Sequence, residues 1–362
     1  MQVSARLVFA DKDTIVIRGN LALEFDFMTE GTMYTFAQPW KSGDKDFWMV
    51  NCFNGNSRYM VRAAKGTVRP EQKWSVSTAE YCRICLEPGN AGEYLATLEE
   101  NFEDWADRKI EYDYDAILKE KAAEFERFYE SMPSVPAVYA DAARVAAYVD
   151  WASIVAPCGV LKRESMFMSK NWMCNVWSWD HCFNAMALAY HNPKEAWDQF
   201  LVMFDFQKPS GNIPDSVNDA KIIHNYCKPP IHGWTLRKLM GIMAISHEQL
   251  MEAYEKLSKW TYWWLNCRDE NGDGLCEYTH GNDSGWDNAT AFAELPPVTL
   301  PDLAAFLVLQ MDVLAEVAEK LGYMSDADMW KERSDKMLDK MLQVLFRDEK
   351  PIGLAGFDMT EV

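Results

Sequence analysis

The hydrophobic period of this chain changes once, near Trp105, and that change constrains what each half can fold into. Before it, RLVFA, TIVIRG, ALEFDF, FWMVNCF, YMVRAA, EYCRICLEP and EYLATLE follow one another, punctuated by Gly, Asn and Asp at roughly 8–12-residue spacing. Such segments present alternate residues to opposite faces, so residues 1–105 are expected to form a β-sandwich or part of one. EYDYDAILKEKAAEFERFYES is a charged amphipathic helix, expected to serve as a linker over 106–134 and to end near Pro133 and Pro136. Long helical patterns then recur at about 137–155, 180–191, 193–207, 232–246, 248–267, 301–322 and 325–346. They predict a mainly α domain over 135–362. Its connections are either short, as at His191-Asn192-Pro193, or long and rich in Gly, Pro, Asn and Trp. Long loops of the second kind usually carry function. No repeat is visible, which argues against a helical scaffold.

Composition removes several partners. With 36 Lys+Arg against 55 Asp+Glu the net charge is −19, and no stretch is strongly basic. Nucleic acid and anionic membrane surfaces would be repelled. No apolar run approaches about 18 residues, and MQVSARLVFADKD lacks the basic start and apolar run of a signal peptide. The nine Cys are odd in number, scattered and mostly in apolar contexts. They read as buried free thiols in a reducing compartment, so a cytoplasmic protein is expected. Cys82 and Cys85 have CxxC spacing but no second pair, which predicts two inward or cross-strand thiols rather than a zinc site. The 15 Trp stand out, because several lie beside polar residues. A flat aromatic in a polar setting suits the apolar face of a sugar ring, although large cores use Trp as well.

Five stretches stand out. In VWSWDHCFNAMALAYHNPKEAWDQFLVMFDFQ (176–207), Trp177, Trp179 and Asp180 stand at a helix N-terminus and Gln207 at the far end. Asp180 reads either as an N-cap beneath two packing tryptophans or as an acceptor for sugar hydroxyls beside two platforms. GNIPDSVND (211–219) and CKPPIHGWTLR (227–237) lie in long loops or at helix ends; the latter carries Lys228, His232 and Trp234 around a double proline. Lys228 by itself would be an ordinary surface charge. GNDSGWDNAT (281–290) packs Asp283, Trp286, Asp287 and Asn288 into one turn, read either as an exposed Asx-turn or as a site loop. RDENGDGLCEY (268–278) places Asp269, Asn271, Asp273 and Glu277 at positions 1, 3, 5 and 9 of a calcium-loop pattern, with His280 where an EF-hand has Glu. Two readings stand: a structural calcium site, or a polar loop with Asn-Gly and Asp-Gly turns. No organic cofactor is expected.

Taken in order, WSWD, Gln207, GNIPD, KPPIHGW, GDGLCE and SGWDN over about residues 135–350 resemble glycoside hydrolase family 63 and its neighbours. These include mannosylglycerate and glucosylglycerate hydrolases, processing α-glucosidases and, more distantly, trehalases. The resemblance implies an (α/α)6 barrel of six helical hairpins behind a β-sandwich, and hydrolysis of an α-linked glucoside or mannoside with inversion. It implies that Asp287, in SG-x-D-N, is the general acid. The other aromatic and polar residues named above would line the carbohydrate site. A general acid must hold its proton near neutral pH, and seating Asp287 against Trp286 away from water would favour the protonated form. Gly285 would allow the turn, Asn288 would orient the carboxyl, and Asp283 would support the loop or bind a hydroxyl.

Inversion also requires a base about 6.5–9.5 Å from the acid. The family places it in the C-terminal part of the barrel, and no such motif follows Asp287 here. Glu349 and Glu361 are the late carboxylates, and neither has surrounding aromatics. The expectation is a piece of a longer or split enzyme, an open crescent with an exposed apolar inner edge that does not hydrolyse alone. Its partner would be the missing part of the barrel. The alternatives are a non-catalytic carbohydrate-binding protein and a trehalase-like hydrolase. A metal-dependent hydrolase is disfavoured, since the six His are dispersed.

Overall fold

The computed structural model describes residues 4–27, 29, 34–40, 47–53, 55, 57–101, 111–169, 173–190, 192–293, 296–356 and 358–362. It falls into two units, Met1–Arg127 and Phe128–Val362. The expected turning point, Trp105, and residues 106–110 of the expected linker lie outside the described residues.

The first unit contains β1 (Ala5–Phe9), β2 (Thr14–Gly19), β3 (Leu23–Phe27), β4 (Phe36–Pro39), β5 (Phe47–Cys52), β6 (Ser57–Lys65), β7 (Thr67–Ser75), β8 (Thr78–Glu87) and β9 (Tyr94–Asn101). They pair antiparallel in two sheets, β1-β2-β9-β6-β5-β4 and β3-β8-β7. Ile17, Val50, Val61 and Ala96 of the larger sheet share one core with Val68, Cys82, Ile84 and Leu86 of the smaller. That is a sandwich built from the inward halves of alternating strands. Strands β4 and β7 carry no clean alternation, and β7 holds Pro70 and several charges. As the outer strand of its sheet, β7 tolerates a residue without an N–H and exposes its charges to water. The CxxC residues part company for the same geometric reason. Three positions apart on β8, Cys82 enters the sandwich core while Cys85 turns toward Glu24, with Sγ 3.6 Å from Oε2. Burial pushes the Cys82 thiol up to about 11.

Helix α1 (Tyr114–Ser131) carries the division between the units at Arg127/Phe128. Within the second unit, the described residues form α2 (Ala140–Ser153), α3 (Asp180–Leu188), α4 (Pro193–Leu201), α5 (His232–Ile242), α6 (His247–Cys267), α7 (Pro301–Leu321) and α8 (Met324–Val344). Each falls on one of the expected helical stretches. Helices α3, α5 and α7 pack in succession; α4 packs on α3, and α6 and α8 pack on α7. Sandwiched in this way, α7 buries residues on all sides, from Leu303 and Ala304 through Leu307, Met311 and Leu314 to Ala318. Pro301 starts it and Gly322, at φ 81°, stops it. Helices α5 and α7 touch at Gly233, where a Cβ would lie 2.6 Å from Gln310 Cα. Gln310 uses that contact, accepting from Gly233 N (3.0 Å) and donating to Thr261 Oγ1 of α6 (2.9 Å).

Trp197, Trp260, Trp264 and Trp330 are core residues, so part of the tryptophan content is packing. Helix α2 leaves Val145 and Val149 more than half exposed, at 64% and 55%. A hairpin in the C-terminal stretch pairs Phe346–Arg347 with Lys350–Pro351 through Asp348 and Glu349, both at positive φ. No helix among the described residues is long and apolar enough to cross a membrane.

Candidate active site

The first turns of α3, α5 and α7 share an aromatic cluster. The Trp179 ring lies 5.7 Å from Phe183 and 5.6 Å from Phe306, and Phe183 lies 6.1 Å from Trp234. Asp180 is the first residue of α3, one position past the cap, and Trp179 makes no side-chain cap. Its carboxylate is therefore not the N-cap.

Three loops converge on this cluster. Val176–Trp177 pairs with Ser216–Val217, and Ser178 N donates to Asp215 O (2.9 Å), which fixes the GNIPD loop beside the start of α3. Lys228 enters from the double-proline segment. Its Nζ forms an ion pair with Asp215 Oδ1 (2.9 Å) and donates to Asn282 O (2.5 Å) and Asn282 Oδ1 (2.9 Å). One buried ammonium thus joins two loops to a third, the opposite of an ordinary surface lysine. The third loop is anchored by Asp283, fully buried, which accepts from Cys227 N (3.0 Å), Thr279 N (3.1 Å), Thr279 Oγ1 (2.8 Å) and Arg268 Nη1 (3.2 Å). At Gly285, φ is 73° and a Cβ would lie 3.8 Å from the Trp179 ring and 4.0 Å from Pro229. Asp287 follows two residues later.

Burial raises the pKa of Asp180, opposed by its backbone amide and by Lys228, and reinforced by the charges of Asp215 and Asp287. Burial likewise raises Asp215, Lys228 opposes it, and Asp283 and Asp287 add to it. These groups feel one another's charge, so Asp180, Asp215, Lys228 and Asp287 form one electrostatic unit.

Of the expected site residues, Trp179, Asp180, Lys228, Trp234, Asp283 and Asp287 are linked here by ring contacts, hydrogen bonds or charge, and Trp177, Trp286 and Asn288 neighbour them in the chain. Three expectations need correction. Asp287 and Asn288 are exposed and Trp286 is 65% exposed, so the indole does not shield the acid from water. The left-handed turn at Gly285 leads the chain out of the buried Gly281–Ser284 turn and leaves residues 285–288 at the surface. His232 is fully buried and packs on Phe204 (5.3 Å) and Trp260 (6.2 Å), so it belongs to the core. Its Nε2 lies 3.0 Å from His181 Nε2, while His181 Nδ1 lies 2.7 Å from Gln199 O. Gln207 spends both amide protons on Gly211 O (3.0 Å) and Lys256 O (2.9 Å), tying its loop to α6. Asp215 and Arg268 were not singled out from sequence, though both stand inside quoted motifs. A carboxylate directly after Pro214 in a polar loop was the available signal for Asp215.

The 268–277 loop satisfies its own backbone. Asp269 Oδ2 accepts from Gly274 N (3.0 Å), Asn271 Oδ1 from Asp273 N (2.9 Å), Asp273 Oδ1 from Leu275 N (2.9 Å) and Glu277 Oε2 from Glu270 N (2.9 Å). These are the turns of the polar-loop reading. Asp269 Oδ1 is nevertheless buried without a hydrogen-bond partner among the described residues, and burial raises Glu277, helped by Asp269 and Asp273. The donor set is hard oxygen and suits calcium, but its atoms are not gathered within 4.8 Å as those of His181, Cys182 and His232 are.

Residues 173–352, which contain all of these loops, match the family of mannosylglycerate hydrolase MGH1-like glycoside hydrolase domains. Over that stretch the chain is thus similar to a glycoside hydrolase domain of the MGH1-like kind. Mannosylglycerate hydrolases MGH1 and MGH2 of Selaginella moellendorffii are each 23% identical to it over 193 residues, 47% of this chain. The matched stretch spans only 37% of the length of those relatives. Among solved structures, the GH63 mannosylglycerate hydrolase of Thermus thermophilus in complex with Tris and D-glycerate is similar at TM-score 0.50 and 17% identity, over 58% of this chain and 67% of that one. A bacterial glucoamylase complexed with acarbose is similar at TM-score 0.59 and 11% identity, over 94% of this chain and 54% of the other. The GH92 inverting mannosidase of Bacteroides thetaiotaomicron gives 0.58 and 12%, over 97% and 51%. At these identities the structures speak for the fold.

Proposed function

We propose that this chain carries the general-acid side of an inverting α-glycosidase acting on an α-linked glucoside or mannoside. The observation that carries the reading is the loop of Asp287, held beside Trp179 by buried Asp283 and Lys228 and within the field of Asp180 and Asp215. Trp179 would stack on the sugar, and Asp180 and Asp215 would accept its hydroxyls. Asp287 would donate its proton to the departing glycosidic oxygen. Its carboxyl is exposed in the free protein and open to a substrate lying over it. The reading assigns the water-activating base to no residue of this chain. Glu349 sits in a hairpin turn and Glu361 in a terminal strand, both exposed.

Calorimetric titration with mannosylglycerate, glucosylglycerate and trehalose tests the site. Trp179→Ala should abolish binding, whereas Trp330→Ala, a core change, should spare it in the folded fraction. Where hydrolysis is seen, NMR should detect the β-anomer first and Asp287→Asn should silence it. Release of the α-anomer would overturn inversion. Binding without turnover, in this chain and in a longer enzyme that contains it, would favour the carbohydrate-binding reading. Preference for trehalose would favour a trehalase-like enzyme.

A further inference from the structure

We infer that Trp286 forms the leaving-group subsite and selects a neutral ring, such as a second sugar, over a small anionic aglycone. The inference rests on the reading of Asp287 as the acid and adds the class of the departing group. Trp286 is 65% exposed, and among the described residues it has no ring partner, whereas Trp179 has two. An indole left open beside the candidate acid offers a flat apolar surface on which a sugar ring can stack. Its backbone is fixed: Trp286 N donates to Ser284 Oγ (3.0 Å), Ser284 Oγ donates to Gly281 O (2.7 Å), and Ala289 N donates to Trp286 O (2.9 Å). The backbone that carries the indole is therefore fixed next to Asp287, the group that would protonate the leaving oxygen.

The charges argue the same way. The two cations that brace these loops, buried Lys228 and half-buried Arg268, are already committed, Lys228 to Asp215 and both oxygens of Asn282, and Arg268 to Asp283 and Thr279. Recruiting either for an anionic aglycone would strip a buried carboxylate of its partner. Asp180 and Asp215 would repel the anion besides. A neutral ring asks nothing of these pairs and covers the indole.

The test is calorimetric titration of the whole chain at one pH and ionic strength with methyl α-mannoside, α-1,2-mannobiose and mannosylglycerate, and with their gluco counterparts. The disaccharide of the preferred sugar should bind about tenfold more tightly than its methyl glycoside. The glycosylglycerate should bind no more tightly than the methyl glycoside. Trp286→Ala should remove the disaccharide's advantage, and Trp286→Phe should restore part of it. A glycosylglycerate that binds as tightly as the disaccharide, or a disaccharide advantage that survives Trp286→Ala, overturns the inference while leaving the parent reading in place. Failure of all six ligands to bind removes the parent reading, and this inference with it.

Discussion

Lys228 Nζ lies 2.9 Å from Asp215 Oδ1, and both side chains are only 7% exposed. Removing one partner of a buried pair leaves an uncompensated charge, which costs about 3–5 kcal/mol. Lys228→Met should therefore lower unfolding free energy by about that much in a denaturant titration. Lys194, 76% exposed and paired with Asp198, is the control, since removal of a surface pair costs about 0–1 kcal/mol. Equal effects at the two lysines would show that Lys228 does not brace the loops.

The two aspartates of the GNDSGWDN loop should separate by assay. Asp283 accepts four hydrogen bonds in full burial, so Asp283→Asn should destabilise the fold by about 3 kcal/mol, the lower end of the cost of breaking a buried pair, since its partner Arg268 is half-buried. Asp287 is exposed, so Asp287→Asn should leave the melting temperature unchanged. In an active form of the enzyme it should lower turnover by about 10²–10⁴-fold or more. A drop below tenfold on an unactivated α-glycoside would move the acid elsewhere.

Periodicity alone located the helices, because each buries a stripe wide enough to mark the sequence, and α7 buries more than a stripe. Strand β7 escaped notice because an outer strand with Pro70 need not alternate. The candidate residues Trp179, Asp180 and Asp287 were legible where short motifs fall at helix starts and turns. The direction each side chain takes was not. His232 and Trp234 lie two apart on α5, yet one is fully buried in the core and the other half-buried against Phe183. The exposure of Asp287 depends on the outward turn at Gly285, and the burial of Lys228 on two loops distant in sequence. Neither is encoded by local pattern.

The 268–277 loop poses a choice that a chelator resolves. We propose that calcium binds there, drawing in Asp269 Oδ1 and the second oxygens of Asp273 and Glu277. Calcium should then raise the melting temperature, excess chelator should reverse the rise, and ligand oxygens should lie about 2.3–2.6 Å from the ion. Glu277→Gln should blunt the response. Melting curves indifferent to both calcium and chelator would leave the self-satisfied turn as the whole account.

The buried histidine pair makes stability depend on pH. His181 Nδ1–H donates to Gln199 O, which leaves its Nε2 as the acceptor of the His232 Nε2–H, and both rings are neutral. Burial lowers the pKa of His181 to about 4, with the Gln199 carbonyl opposing it, and lowers His232 well below the usual range. In the unfolded chain these rings take up protons near pH 6.5. Between about pH 6.5 and 4 the unfolded state therefore binds more protons, so stability rises with pH across that window. The contribution is fully present above 6.5 and is lost as pH falls toward 4, on the order of 3 kcal/mol for His181 alone. Asp180, Asp215, Glu277 and Asp302, all raised by burial, titrate with the opposite sign as the medium turns acid. The comparison must accordingly be between the wild type and His181→Asn, whose amide can still donate to Gln199 O. The stability gap between them should narrow by about 2–3 kcal/mol from pH 7 to pH 4.5. A gap that stays flat, or a His181 ring proton titrating near pH 6.5 by NMR, would mean the pair is not sealed in the core as a neutral unit.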